Sequence, residues 1–247
     1  SLDSTYKIYI IDEAHALSNS ACQAFLKCLE EPPRYTIFIF CTTDPQKLPS
    51  TVLNRMQRFN LNKISVSGIR DRLEKICQQE KFLNYSDSID YIAKVANGGM
   101  RDAIALLDKC SSLSADLSIN NVLQALGVFS YDQFFKLINA CIDGKDQEML
   151  ALIESFFNAG KDLKIFLNQF IEFVLDILKF IIFKDFNIIK IPSSFVLEVE
   201  RTITIDKNKQ YFEYLLDKLL ELKLNIKNDE NLRLTIEIYF LQILRCK

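Results

Sequence analysis

Apolar and polar positions follow two rhythms along this chain. Ile8-Tyr9-Ile10-Ile11 is an uninterrupted apolar run, and Thr36-Ile37-Phe38-Ile39-Phe40-Cys41 is a second. Runs of this kind predict strands buried on both faces, as in parallel sheets. Between them Ala21, Phe25, Leu26 and Leu29 recur at helical spacing from about Asn19 to Glu30, with Ser18 as N-cap and Pro32-Pro33 as the stop. A short helix from about Pro49 to Met56 and a third strand at Gln57 to Leu61 follow. Strand, helix, strand, helix, strand is the α/β signature.

From Ser65 onward the rhythm is helical only. Ser67 is read as the cap of a helix to about Gln79; Asp87 to Ala96, Arg101 to Leu113 and Ile119 to Leu126 come next, broken by Asn97-Gly98-Gly99 and closed by Gly127. A longer-strided region then predicts helices at about Tyr131 to Ile142, Asp146 to Ala159, Leu163 to Phe183, Ser194 to Ile203, Lys207 to Leu224 and Asn231 to Arg245, with Gly144, Gly160 and Pro192 between them. Nothing repeats at a fixed period. The most apolar stretch, Phe166 to Phe183, is interrupted by Asn168, Gln169, Glu172, Asp176 and Lys179, which marks a core helix and not a membrane span.

Composition adds exclusions. The chain has 247 residues, 49% hydrophobic and 25% charged, with a formal net charge of -2. That is ordinary for a soluble globular protein and does not indicate a broadly basic nucleic-acid binder. No signal sequence is expected from its opening residues. Its seven cysteines form no Cys-x-x-Cys pair and its one histidine is His15, so no zinc site is expected. The thiols read as small hydrophobes of a reducing cytosol, and the expected location is cytoplasmic.

The chemistry gathers where the first strand ends. Asp12-Glu13 follows Ile11 directly, and ligands of open α/β sheets bind at the carboxyl ends of strands. The pattern is that of a Walker B box: Asp12 would hold Mg²⁺ through its water shell and Glu13 would polarise the attacking water. The plain alternative is a core strand ending in a solvated acidic turn. Thr42-Thr43-Asp44-Pro45 after the second strand reads either as placed hydroxyls or as turn residues. His15 is assigned no chemistry, only helix entry or packing. Ser18-Asn19-Ser20 opens a helix that would attract a DNA phosphate or serve only as a cap.

Five features stand in order: Asp12-Glu13; Glu30-Glu31-Pro32-Pro33; Thr42-Thr43-Asp44-Pro45-Gln46-Lys47-Leu48-Pro49; Leu53-Asn54-Arg55; and Gly98-Gly99-Met100-Arg101-Asp102-Ala103. Their order and spacing resemble the AAA+ clamp-loader ATPases, closely from Ile8 to Leu61 and diffusely in the C-terminal half. The resemblance implies a partial AAA+ (RecA-like) parallel sheet in 1–63, an all-α lid in 64–128 and an all-α oligomerisation collar in 129–247, mainly α overall. It implies that Thr43 is sensor 1, Arg101 sensor 2 and Arg55 the arginine finger acting on a neighbouring subunit's ATP. The finger's motif departs from the family's Ser-Arg-Cys, reading Asn54-Arg55-Met56. Arg101 could instead pair with Asp102 or Asp108.

The implied function is loading of a sliding clamp on primed DNA with ATP and Mg²⁺, as an ATPase subunit of the replicative DNA polymerase III. The implied partners are delta, delta-prime and gamma/tau copies, the clamp and primed DNA. No Gly-x-x-x-x-Gly-Lys-[Ser/Thr] occurs in the chain, so it is expected to be a fragment that on its own binds ATP poorly or not at all, with no cofactor bound, and is inactive alone. The family's sheet order is 5-1-4-3-2, and without strand 1 the strand at Gln57 to Leu61 is expected to lose its bridge. Two alternatives stand beside this reading. One is an ATPase-dead, delta-prime-like assembly subunit. The other is a DEAH-box helicase fragment, from Asp12-Glu13-Ala14-His15, which would need a Ser-Ala-Thr motif near Cys41-Thr42-Thr43 and a second RecA-like domain.

Overall fold

The computed structural model describes residues 5–158, 160, 162–204, 209–226 and 231–245. Ser1 to Ser4, Ala159, the expected helix start at Lys207 and Cys246 lie outside the described residues. The chain divides into two compact units, Ser1–Asn62 and Lys63–Lys247.

In the first unit, β1 (Lys7–Ile11) and β2 (Thr36–Phe40) pair in parallel, Lys7 opposite Thr36 and Ile11 opposite Phe40. The crossover is α1 (Asn19–Glu30), entered through a 3-10 turn at Ala14–Ala16. Ser18 caps α1 as expected, its Oγ accepting the Ala21 N–H at 3.2 Å. A small core of Ala14, Cys22, Leu48 and Val52 joins α1 to α2 (Ser50–Leu53). Phe25 of α1 sets its ring edge-on against Phe38 and Phe40 of β2.

Two expectations fail here for one reason. Gln57 to Leu61 is not a strand, and Phe59 and Leu61 are exposed. A strand's hydrogen bonds are made by another strand, and none of the described residues pairs with this segment. Nor is β1 buried on both faces, for Ile8 is 58% and Ile10 67% exposed. The apolar run specified a strand built for burial, and the described elements of this unit, two strands, α1 and the one-turn α2, do not cover both faces.

The second unit is helical: α3 (Val66–Glu80), α4 (Ser86–Val95), α5 (Met100–Ser111), α6 (Ile119–Leu126), α7 (Tyr131–Asp143), α8 (Asp146–Asn158), α9 (Leu163–Phe183), α10 (Val196–Thr204), α11 (Lys209–Asn225) and α12 (Leu232–Arg245). Ser65, not Ser67, caps α3, accepting the Gly68 N–H at 3.1 Å, while Ser67 bonds Ser65 through its hydroxyl. Gly127 and Gly144 end α6 and α7 in the left-handed region.

One core runs through these helices. Phe134, Phe156, Phe166, Phe170, Phe212 and Phe240 are fully buried in it. Helix α9 is its axis and packs most extensively on α11. Polar side chains close the joints. Gln169 of α9 accepts the Phe129 N–H at 2.8 Å and donates to the Gly127 carbonyl at 3.3 Å, satisfying the bend between α6 and α7. Asp176, 3% exposed, accepts the Lys190 N–H at 2.7 Å and the Lys179 ammonium at 3.0 Å. Among the described residues, no helix is long and apolar enough to cross a membrane.

Candidate functional site

Parallel pairing brings the ends of β1 and β2 to one edge of the sheet. Asp12-Glu13 leaves β1 there, and Cys41-Thr42-Thr43 leaves β2. The edges are pinned by backbone bonds: Cys41 N–H donates to the Ile11 carbonyl and Ala14 N–H to the Cys41 carbonyl, each at 2.9 Å. Glu13 stands in the left-handed region (φ 48, ψ 45) and its N–H donates to Asp12 Oδ1 at 3.0 Å. That conformation costs a non-glycine residue about 1–2 kcal/mol. It turns the chain sharply into the 3-10 turn and leaves both carboxylates exposed.

The Glu13 carboxylate has a neighbour that sequence reading passed over. His15 Nδ1 lies 3.3 Å from Glu13 Oε2 and 3.0 Å from Thr42 Oγ1. Thr42 Oγ1 also accepts the Asp44 N–H at 3.1 Å. Thr43, the residue singled out beforehand, is exposed at the same turn. His15 could not be found from spacing, because its partner hydroxyl is 27 residues away.

As a metal position, Asp12 offers one exposed carboxylate whose Oδ1 accepts a single backbone N–H. One carboxylate completed by water and phosphate oxygens is a donor set Mg²⁺ takes. Among the described residues no group of three His, Cys, Asp or Glu side chains is arranged to hold a metal ion.

Arg55 is not at this edge. It follows α2, donates to the Thr51 carbonyl at 2.7 Å and pairs with Glu30 Oε1 at 2.6 Å. Glu30 is the last residue of α1. That helix returns the chain from the end of β1 to the start of β2 and is about 18 Å long at 1.5 Å per residue. Arg55 is therefore held toward the opposite edge from Asp12 and Glu13.

Arg101 belongs to the second unit, one residue into α5 and exposed. Gly98 before it has φ +91, and a Cβ there would stand 2.5 Å from Lys63 Cβ, so no other residue fits without displacement. Neither Asp102 nor Asp108 pairs with Arg101: the guanidinium has no hydrogen-bond or ion-pair partner among the described residues.

Three family models match the chain in succession: the delta subunit of DNA polymerase III over residues 1–65, the ATPase lid domain of the DNA polymerase III clamp loader subunit over 68–114, and domain III of the DNA polymerase III subunits gamma and tau over 117–224. The DNA polymerase III subunit tau of Bacillus subtilis is 39% identical over 175 residues, covering 70% of this chain and 31% of that protein. The gamma/tau subunit of Mycoplasma genitalium is 31% identical over 217 residues, covering 87% of this chain and 36% of that protein. The chain thus spans about a third of the length of these relatives. The solved structure of a Bacillus subtilis DNA clamp loader delta protein covers 98% of this chain and 78% of that one, at 12% identity and a TM-score of 0.43. The helicase alternative has no support, since every described element after Leu53 is helical and the described residues hold no second RecA-like domain.

Proposed function

Because the chain belongs to the clamp-loader subunit family of DNA polymerase III, we propose that it is part of a cytoplasmic ATPase subunit that loads a sliding clamp on primed DNA. Its partners would be delta, delta-prime and further gamma/tau subunits, with the clamp and primed DNA as what they act on. The lid would be 64–128 and the collar 129–247.

One observation carries the reading. Asp12, Glu13 and Thr43 share one sheet edge, while Arg55 is held toward the other. A subunit built this way offers acid and hydroxyl to its own nucleotide and its guanidinium to a neighbour's. Asp12 would hold Mg²⁺ through its water shell, and that ion would offset charge on the transferring phosphate. Glu13 would orient and polarise the attacking water, and Thr43 would contact the γ-phosphate or that water. Arg101 would bring the lid to the phosphates with a bidentate grip, for which its unpaired guanidinium is free. Arg55 would stabilise the charge developing on the adjacent subunit's phosphate, an effect of roughly 10³ to 10⁵ in rate for such fingers.

This chain lacks the Gly-x-x-x-x-Gly-Lys-[Ser/Thr] loop, so alone it should bind ATP weakly, and calorimetry finding micromolar affinity would refute that. In the complete loader, Glu13→Gln should slow DNA-stimulated hydrolysis by about 10²-fold or more, to a low but measurable rate, while leaving ATP binding intact. Unchanged hydrolysis would favour the second reading, an assembly subunit without turnover of its own, which the delta-subunit match over residues 1–65 also fits.

A further inference from the structure

We infer that His15 is a positioning residue, tying the Glu13 carboxylate to the hydroxyl turn that ends β2; the inference rests on the role proposed above for Glu13. His15 is hydrogen-bonded to Thr42 and lies within ion-pair range of Glu13. Glu13 Oε2 stands 3.3 Å from His15 Nδ1, and Nδ1 stands 3.0 Å from Thr42 Oγ1. The Asp44 N–H donates to that same oxygen at 3.1 Å. An ionised carboxylate only accepts hydrogen bonds. The contact is therefore attractive when Nδ1 carries a proton; with Nδ1 bare, two lone pairs would face each other. With the carboxylate beside it, Nδ1 holds the proton: that one N–H is hydrogen-bonded to Thr42 Oγ1, whose second lone pair takes the Asp44 N–H, while Glu13 Oε2 is held beside it by electrostatic attraction and not by a second hydrogen bond.

The imidazole is placed to matter. Its side chain is 23% exposed and the Glu13 side chain 59% exposed. A half-exposed glutamate samples many rotamers, and a water-activating acid works only from a narrow range of positions. His15 restricts it through a ring that is itself held between two strand ends. Thr42 also precedes Thr43, so a shift of the β2 turn by a bound phosphate would reach Glu13 through the same ring.

The test uses the complete loader and steady-state ATP hydrolysis. His15→Ala should lower kcat between about 10- and 100-fold, with ATP binding and the KM for ATP unchanged. His15→Asn, whose amide N–H₂ falls near the Nδ1 position, should recover most of that loss. In a Glu13→Gln background, His15→Ala should cost nothing further, because the group it positions is gone. A kcat within twofold of wild type for His15→Ala would overturn the inference, as would His15→Asn as slow as His15→Ala, which would mean packing only. Additive losses in the double variant would also overturn it. If Glu13→Gln is itself silent, the role of Glu13 fails and the inference falls with it. A strongly slowed Glu13→Gln beside a normal His15→Ala removes this inference alone.

Discussion

The two compact units bury themselves to different degrees. In Lys63–Lys247 the large apolar side chains of the central helix turn inward, and Phe166, Phe170, Val174 and Ile177 are fully buried. In Ser1–Asn62 the strand residues Ile8, Tyr9, Ile10, Ile37 and Ile39 are exposed, and the fully formed core is four side chains with a partly buried rim. The sequences of the two strands are at least as apolar as the helices. The difference lies in how many elements stand ready to cover them. A helix satisfies its own backbone and needs one covered stripe, whereas a central strand needs two neighbours and two covered faces. The unit carrying the acidic pair is thus the one whose burial is least complete.

The sharpest way to break that comparison is thiol reactivity. Burial pushes the Cys141 thiol up to about 12 and the Cys77 thiol up to about 11, the nearby Glu74 adding to the second. At pH 8, Cys141 should therefore present about 10³-fold less thiolate than an ordinary exposed thiol, a fraction that rises about tenfold per pH unit toward 12. Cys41, exposed at the end of β2, should alkylate first. Mass spectrometry after brief labelling reads both, and fast modification of Cys141 under native conditions would contradict a closed core.

Next in size, Phe170→Ala in the helical core should cost about 3–5 kcal/mol. Ile10→Ala on the exposed strand should cost under about 1 kcal/mol. Urea denaturation of this chain compares them, and equal losses would mean the strand faces are covered in solution. Asp176→Ala removes the acceptor of the Lys190 N–H and strands the Lys179 ammonium, at about 3 kcal/mol. Asp176→Asn, which keeps an acceptor, should cost less, and the same titration distinguishes them.

The smallest stability effect belongs to Glu30→Ala. Its pair with Arg55 has both side chains at least a third exposed, so unfolding should change by less than about 0.5 kcal/mol. On the role proposed above for Arg55, the freed guanidinium should also slow trans hydrolysis in the complete loader. Unchanged turnover would show that Thr51 alone aims Arg55.

Much of this was legible beforehand. Helix limits at Asn19–Glu30, Ile119–Leu126 and Leu163–Phe183 match the apolar spacing and the caps residue for residue. Asp12-Glu13 and Thr43 were found as strand ends because a strand's end is where its apolar run stops. Misreadings fell where local signals were degenerate or the deciding contact was distant. Ser65 and Ser67 are equally good caps by identity, and the backbone of Ser65, extended at φ -64 and ψ 153, decided between them. His15 reads as packing because its hydroxyl partner lies in the turn after the other strand, 27 residues away.

Local signals in the sequence set the helices, the two paired strands and their order, because periodicity, caps and breakers act over a few residues. Tertiary structure alone decided that the faces of β1 lie open, that Arg55 is held toward the edge away from the acids, and that His15 joins Glu13 to Thr42. Each of these depends on what stands beside a residue across the fold, and hydrogen bonds, burial and ion pairing between distant segments leave no local pattern to read.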